Sequence, residues 1–238
     1  MAEKNCSLKI VILEKSQNTL SKVRISGGGR CNVTNAVTGV KEFADFYPRG
    51  SRELISVFSK FGNDDTIRWF KEKGVVLKAE QDGRIFPETN DSQTIINLFN
   101  KLVYRYGIEI VMGFDVSEVS LKEKIFVVKD RKGNTLSFDK LLVSGGGFST
   151  IDKYRWIEKL GHTIVPPVPS LFTFNCKDVT LRDMQGISVR KASVKIKGTK
   201  LNSCGDLLIT HWGFSGPAIL KLSAFGARML YDFNYKFT

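Results

Sequence analysis

One run of this chain holds most of the residues whose types and spacing suit chemistry: Lys22-Val23-Arg24-Ile25-Ser26-Gly27-Gly28-Gly29-Arg30-Cys31-Asn32-Val33-Thr34-Asn35. Its glycines let phosphates or a ring approach the backbone and leave N–H groups able to donate. Arg30 offers a fixed planar cation, and Asn32 and Asn35 offer side-chain amides. That donor set suits a pyrophosphate and the polar edge of an isoalloxazine. Cys31 has no resolving cysteine nearby, so it reads as a close-packed or flavin-adjacent thiol rather than a catalytic one. A second triplet, Gly145-Gly146-Gly147, follows Ser144. Glu14 closes an apolar run, and in dinucleotide folds an acidic residue so placed accepts the ribose hydroxyls. Two further side chains are candidates for catalysis. His211, before Gly213-Phe214-Ser215-Gly216-Pro217, titrates near neutrality and could donate a proton; the alternative is a hydrogen-bonded structural histidine. Arg84, within Gly83-Arg84-Ile85-Phe86-Pro87-Glu88, could face a cofactor or substrate; the alternative is a solvated arginine in a loop.

These residues need elements to hold them. Residues 8–13 form a short apolar run that predicts a buried parallel strand ending at Glu14. Helical spacing of apolar residues predicts helices over 52–61, 64–73 and 92–106, with Gly74 and Gly107 as stops. The period then changes. A strand begins at Ile108, and 116–121, 125–129 and 135–138 read as an antiparallel meander turning at Lys132-Gly133-Asn134. Residues 141–143 read as another buried strand running into the second glycine triplet, and 151–160 as a short helix stopped by Gly161. The prolines of Val165-Pro166-Pro167-Val168-Pro169 fit neither a helix interior nor a central strand. They predict a boundary between domains at 1–165 and 166–238. Beyond it, 189–197 and 206–210 read as strands, 214–230 as a helix, and 233–237 alternates again. No internal repeat or low-complexity tract is present.

Of the 238 residues, 42% are hydrophobic and 25% charged, ordinary values for a globular chain with a sizeable core. No apolar run reaches the length of a bilayer span, and residues 1–7 lack the apolar core of a signal peptide. No membrane association is therefore expected, and a cytoplasmic location is. The four cysteines form no Cys-x-x-Cys pair and there are two histidines, which points to neither a zinc site nor a disulfide framework. The net charge of +12 is uneven: residues 41–100 carry 9 basic against 10 acidic side chains, residues 151–238 carry 13 against 6. Such a field favours polyanionic partners: a phosphate-bearing cofactor, NADPH or nucleic acid. A solvated basic face is the plain alternative.

Val11-Ile12-Leu13-Glu14-Lys15, the run from Ile25 to Asn35 and Gly83-Arg84-Ile85-Phe86-Pro87 together resemble a family of bacterial FAD flavoproteins. These are the aminoacetone-oxidase-like, or BaiN-like, NAD(P)/FAD-dependent oxidoreductases. The resemblance continues through Gly145-Gly146-Gly147, Leu160-Gly161-His162-Thr163-Ile164-Val165, Pro169-Ser170-Leu171 and Thr210-His211-Trp212-Gly213-Phe214-Ser215-Gly216-Pro217. It implies an α/β doubly wound FAD/NAD(P)-binding domain interrupted by a β-rich, barrel-like insert that begins near the prolines. It further implies that Glu14, Lys15, Lys22 and the loop of Ser26, Gly27, Gly28, Gly29, Arg30, Cys31, Asn32, Val33 and Asn35 line the FAD site. Val116 takes the strand position whose backbone meets adenine, and Ser144, Gly145 and Gly146 match a Thr-Gly-Gly element with serine in place of threonine.

The family pattern opens with a strand and a Gly-x-Gly-x-x-Gly turn about thirty residues ahead of the acidic strand. Here seven residues precede Leu8, and the insert breaks off at Thr238, so the expectation is a chain truncated at both ends. In the order 3-2-1-4-5 the first strand is central, and the turn after it holds the pyrophosphate at a helix N-terminus. The chain by itself is thus expected to bind FAD weakly or not at all. Three functions follow. The first is hydride transfer from NAD(P)H through FAD to an unsaturated small-molecule substrate, with C=C reduction. The second is flavin-dependent reduction of a pyrimidine in RNA, motivated by the charge and by the basic residues Arg190, Lys191, Lys195 and Lys197. The third is an inactive fragment or one half of a split flavoprotein.

Overall fold

The computed structural model describes residues 1–176 and 179–238. The chain divides into two compact units: Met1–Gly147 with Asp152–Ile164, and Phe148–Ile151 with Val165–Thr238.

The first unit begins with β1 (Val11–Glu14), α1 (Ser21–Ile25), β2 (Thr34–Asn35), α2 (Val40–Ala44), α3 (Ser51–Phe58) and α4 (Asn63–Glu72). It continues with β3 (Leu77–Ala79), β4 (Arg84–Pro87), α5 (Gln93–Arg105), β5 (Glu109–Met112) and the meander β6 (Val116–Lys122), β7 (Ile125–Asp130) and β8 (Thr135–Phe138). A one-turn helix, α6 (Arg155–Glu158), closes it. β1 and β5 pair in parallel, Val11 against Glu109 through Glu14 against Met112. A parallel pair needs a crossover, and the chain from α1 to α5 supplies it. β2, β4 and β3 form a separate antiparallel sheet in that order, and β6, β7 and β8 a third.

Two hydrophobic clusters support these elements. Phe114, Val119 and Val128 pack with Leu13, Val111 and Val116, joining the parallel pair to the meander. Cys31, Phe70, Val75, Ile95 and Leu98 join the glycine run to α4 and α5. α5 keeps the apolar face expected of it, with Ile95 and Ile96 buried and Phe99 and Leu102 packed against the cluster, and Leu98 is buried beside them. Its start is fixed by Asp91, whose Oδ1 accepts the Gln93 N–H at 2.8 Å. Ser92 instead turns its hydroxyl across the fold to the Arg24 carbonyl, 2.9 Å away.

In the second unit β9 (Phe174–Asn175), β10 (Ser188–Lys195), β11 (Asn202–Thr210) and β12 (Gly213–Ser215) form one sheet, order β10-β11-β12-β9. α7 (Pro217–Phe225) and α8 (Ala227–Asp232) follow. Ile196, Ile219, Leu222 and Leu230 form the core of this unit with Phe174.

Several expectations are corrected. Residues 141–143 form no strand. Leu142 and Val143 are exposed and pair with no strand among the described residues, and an apolar run becomes a strand only where its N–H and C=O groups find a ladder. Residues 83–88 are not a loop: Arg84–Pro87 is the central strand of its sheet, with Ile85 and Phe86 buried. The expected helix over 214–230 loses Phe214 to β12, starts at Pro217 as first helical residue and is interrupted at Gly226. Residues 233–237 turn, because Asn234 and Tyr235 adopt φ of 50° and 57°. Among the described residues the parallel sheet has two strands, in keeping with an incomplete doubly wound domain, and the four-stranded sheet of the second unit is open.

Candidate functional site

α1 delivers the chain into the glycine run. Ser26 Oγ donates to the Val23 carbonyl at 2.8 Å, and the Cys31 N–H reaches back to the Ser26 carbonyl at 2.9 Å, so the loop closes on itself. Gly27, Gly28 and Gly29 adopt φ of 56°, 69° and 84°, and Cys31 follows at 61°. The left-handed region costs a side chain roughly 1–2 kcal/mol, which accounts for three glycines in succession. Their surroundings differ. A Cβ on Gly27 would fall 2.7 Å from the Asn32 backbone nitrogen and 2.9 Å from Phe86 Cε1. A Cβ on Gly28 would meet nothing within 4 Å. Gly27 is thus a packing requirement, and Gly28 presents bare backbone to open space. The Ser92 N–H donates to the Gly29 carbonyl at 2.9 Å and anchors the far side of the loop to the start of α5.

The polar side chains of the run are largely occupied within the fold. Arg30 lies 4.0 Å above the Phe86 ring centroid and donates to Glu80 Oε1 at 2.5 Å, both side chains being about two-thirds buried. Arg84 joins the same group: it lies 5.4 Å from the Phe86 centroid, donates to Glu80 Oε2 at 3.2 Å and to Asp82 Oδ2 at 2.7 Å. The Arg84 backbone N–H, together with its guanidinium, holds the Asp82 carboxyl below the usual carboxylate range. The Asn32 amide nitrogen faces the Thr34 and Ile85 carbonyls at 3.0 and 3.2 Å. Asn35 Oδ1 accepts the Val37 N–H at 2.9 Å, and the Asn35 carbonyl accepts from Asn63 Nδ2 at 2.9 Å. Cys31 is buried in the core cluster and Val33 packs against it.

At the carboxyl ends of the parallel strands a second group gathers. Glu14 Oε1 accepts the Ser16 N–H and Oγ at 2.7 and 2.8 Å. The Glu14 carbonyl accepts the Phe114 N–H at 3.0 Å, and Lys15 pairs with Asp115 at 3.2 Å, so both are brought to the foot of β6 where Val116 begins. A third contact joins the two glycine runs: Lys22 Nζ lies 2.5 Å from where a Cβ on Gly146 would stand. Ser144 and Gly145 precede it in exposed, irregular backbone. His211 belongs to the second unit. It occupies the turn between β11 and β12, exposed, its ring edge-on to Trp212 at 4.2 Å. Sequence reasoning missed Glu80 and Phe86, the partners that hold Arg30. Glu80-Gln81-Asp82-Gly83 has the look of a charged turn, and nothing local to it shows a pairing 50 residues away.

The chain belongs to the HI0933-like protein Rossmann domain family, whose model matches residues 1–219. The resemblance to the BaiN-like flavoproteins, a family of oxidoreductases, stands with it. Among curated proteins the chain is similar to the 3-dehydro-bile acid delta(4,6)-reductase of Clostridium scindens, 25% identical over 94% of this chain and 56% of that protein. It is also similar to the ribosomal RNA dihydrouridine synthase of Haemophilus influenzae, 27% identical over 90% of this chain and 55% of that one. The enzyme of the same name from Escherichia coli is 24% identical over 91% and 55%. The chain thus spans about half the length of the curated relatives it matches.

Proposed function

We propose that the chain forms part of the FAD site of an oxidoreductase that saturates a conjugated C=C bond, with NAD(P)H as electron donor. The reading is carried by a carboxylate at a parallel strand end and by glycine backbone open to a ligand, both in a chain of this family. The residues fit a dinucleotide. Glu14 would accept ribose hydroxyls, as acidic residues at such strand ends do. Gly28 has no side chain and open space above it, a cradle that any Cβ would begin to fill. Lys15, Lys22 and Arg30 supply positive charge for phosphates, and Gly145, Gly146 and Ser144 allow backbone approach beside Lys22. The Val116 backbone would meet the adenine, while Ser26, Cys31, Asn32, Val33 and Asn35 hold the loop in shape. A bound flavin supplies hydride chemistry, and the protein supplies binding, orientation and electrostatics. Arg84 is the side chain of the first unit proposed to face substrate, and His211 of the second unit is the alternative candidate, each taken by itself. By their names, a delta(4,6)-reductase and a dihydrouridine synthase both saturate a conjugated C=C bond, which supports the reaction class.

A titration checks this. FAD should bind at least about tenfold tighter than riboflavin, a difference of about 1.4 kcal/mol, because the residues assigned here grip ribose and phosphate. Equal affinity for the two flavins overturns the reading. A protein that carries these residues within a whole FAD domain should also consume NADPH only when an enone-type acceptor is added. A second reading, that the acceptor is a pyrimidine within RNA, is favoured by two relatives named as ribosomal RNA dihydrouridine synthases.

A further inference from the structure

The ion pairs of this protein and its surplus of positive charge lie in different places. Between Asp183 and Asp206 the sequence runs for 22 residues with five basic side chains and no carboxylate. Those five are Arg190, Lys191, Lys195, Lys197 and Lys200, and all are exposed on β10, on β11's approach or on the turn between them. Among the described residues none of the five enters an ion pair, whereas Lys15, Arg30, Arg84 and Arg131 of the first unit all do.

The register gives this ribbon its form. Val194 faces Ser203 on the side that packs with Ile196 toward α7. Lys195 faces Asn202 and Ser193 faces Cys204 on the other side, which is exposed. Arg190 and Lys191 lie at a bulge, two residues against the single Asp206. The Asp206 carboxylate is engaged by the Lys191 backbone N–H at 3.1 Å rather than by a cation. Between the cations the floor is Ser193, Asn202 and Cys204, small side chains that offer hydrogen bonds, while the exposed apolar Val189 and Leu208 lie beyond the bulge.

We infer that the exposed face and edge of the β10–β11 ribbon dock the phosphodiester backbone of single-stranded RNA. The inference rests on the second reading above, in which RNA carries the acceptor, and adds to it the surface and the residues. Docking of this kind positions a strand and carries no sequence information. Its strength falls with salt as counterions are released, by about 0.7 in slope per phosphate contact on a single strand.

The experiment measures anisotropy of a fluorescein-labelled uridine-rich single-stranded RNA against the chain over a salt series. Three variants are compared with the natural sequence: R190A/K191A/K195A/K197A/K200A, the charge-matched control K4A/K9A/K41A/K60A/K124A, and the charge-preserving K191R/K195R/K197R/K200R. The ribbon alanine variant should lose at least about tenfold in affinity at low salt and up to about 3.5 in salt slope. The control and the arginine variant should stay near the natural chain, and retained binding by the arginine variant separates lost charge from a misfolded ribbon. Equal losses in the ribbon and control variants mean that net charge alone attracts RNA, and overturn the inference. So does absence of RNA binding by the natural chain at low salt, and so does ribbon-dependent binding to phosphatidylserine vesicles in preference to RNA. Formation of dihydropyrimidine in RNA tests the underlying reading separately: its failure with ribbon-dependent binding intact removes the reaction and leaves the surface.

Discussion

Gly27 and Gly28 are neighbours with nearly the same backbone conformation, yet they answer to different demands. At Gly27 a methyl group would meet the Asn32 backbone and the buried Phe86 ring, in addition to the strain of φ 56°. Gly27→Ala should cost about 2–4 kcal/mol, combining left-handed strain with overpacking. At Gly28 the methyl meets nothing, so Gly28→Ala should cost only about 1 kcal/mol while its Cβ enters the space where backbone is proposed to meet the cofactor. Urea unfolding with parallel FAD titration separates the two: stability should fail at Gly27 and flavin affinity at Gly28. Unchanged affinity in Gly28→Ala would count against the cradle. The sequence announced a glycine loop, but it could not tell these two positions apart, because their difference lies in Phe86 and Asn32 packing around one and not the other. The same limit applies to Arg30, Asn32 and Asn35. Their types suggested donors for a ligand, and the fold engages them itself: Arg30 donates to Glu80, the Asn32 amide faces the Ile85 carbonyl, and Asn35 Oδ1 accepts the Val37 N–H.

At the scale of elements, the β7–β8 turn shows how a few donors fix a hairpin. Asp130 is buried by solvent exposure, and its Oδ1 accepts the Lys132 and Asn134 N–H groups at 2.9 and 2.8 Å while Oδ2 accepts the Asn134 amide at 2.8 Å. Burial pushes this carboxyl up, and the donors from Asn134, Lys132 and Gly133 outweigh it and hold the carboxyl below its usual range. A carboxyl whose folded pKa lies below its unfolded value adds stability that is complete above the unfolded value, about 3.9, and is lost as pH falls through the folded one. Asp130→Asn keeps the shape but turns an NH2 toward the Asn134 amide. It should lower the urea midpoint at neutral pH, and the gap to the natural chain should narrow below about pH 4. Urea midpoints measured across that range check it, and a gap independent of pH would show that the charge of Asp130 contributes nothing. The meander was legible in the sequence because alternation and a Lys-Gly-Asn turn are local signals. Residues 141–143 misled for the opposite reason: whether an apolar triplet becomes a strand depends on a partner that its own residues cannot specify. Arg84–Pro87 erred in the other direction, since its glycine and proline neighbours read as a loop while pairing on both sides makes it a strand.

For the whole molecule the telling quantity is surface. The chain exposes 16686 Å². Two separate compact bodies with the sizes of its two units would expose roughly 12,800 Å² on the scaling of folded monomers. Part of the exposed apolar surface of the first unit lies on β1 and residues 141–143: Leu142 is 74% exposed, Val143 48% and Ile12 41%. Among the described residues β1 has a partner on one side only, so its other edge presents unpaired backbone beside apolar side chains. A bare strand edge of this kind is a template for association. A two-stranded sheet also contributes little stability by itself, so these residues gain from any strand that covers them. The chain should therefore self-associate as its concentration rises and bind an apolar dye strongly. Ile12→Lys with Leu142→Lys should suppress both, and because each side chain is already exposed the stability should move by no more than about 0.5 kcal/mol. Size-exclusion chromatography with light scattering, run over a concentration series, reads the outcome. Association that persists undiminished in the double variant would place the adhesive surface away from β1 and 141–143, with the exposed Phe46, Val57 and Phe61 around α2 and α3 as the next to test.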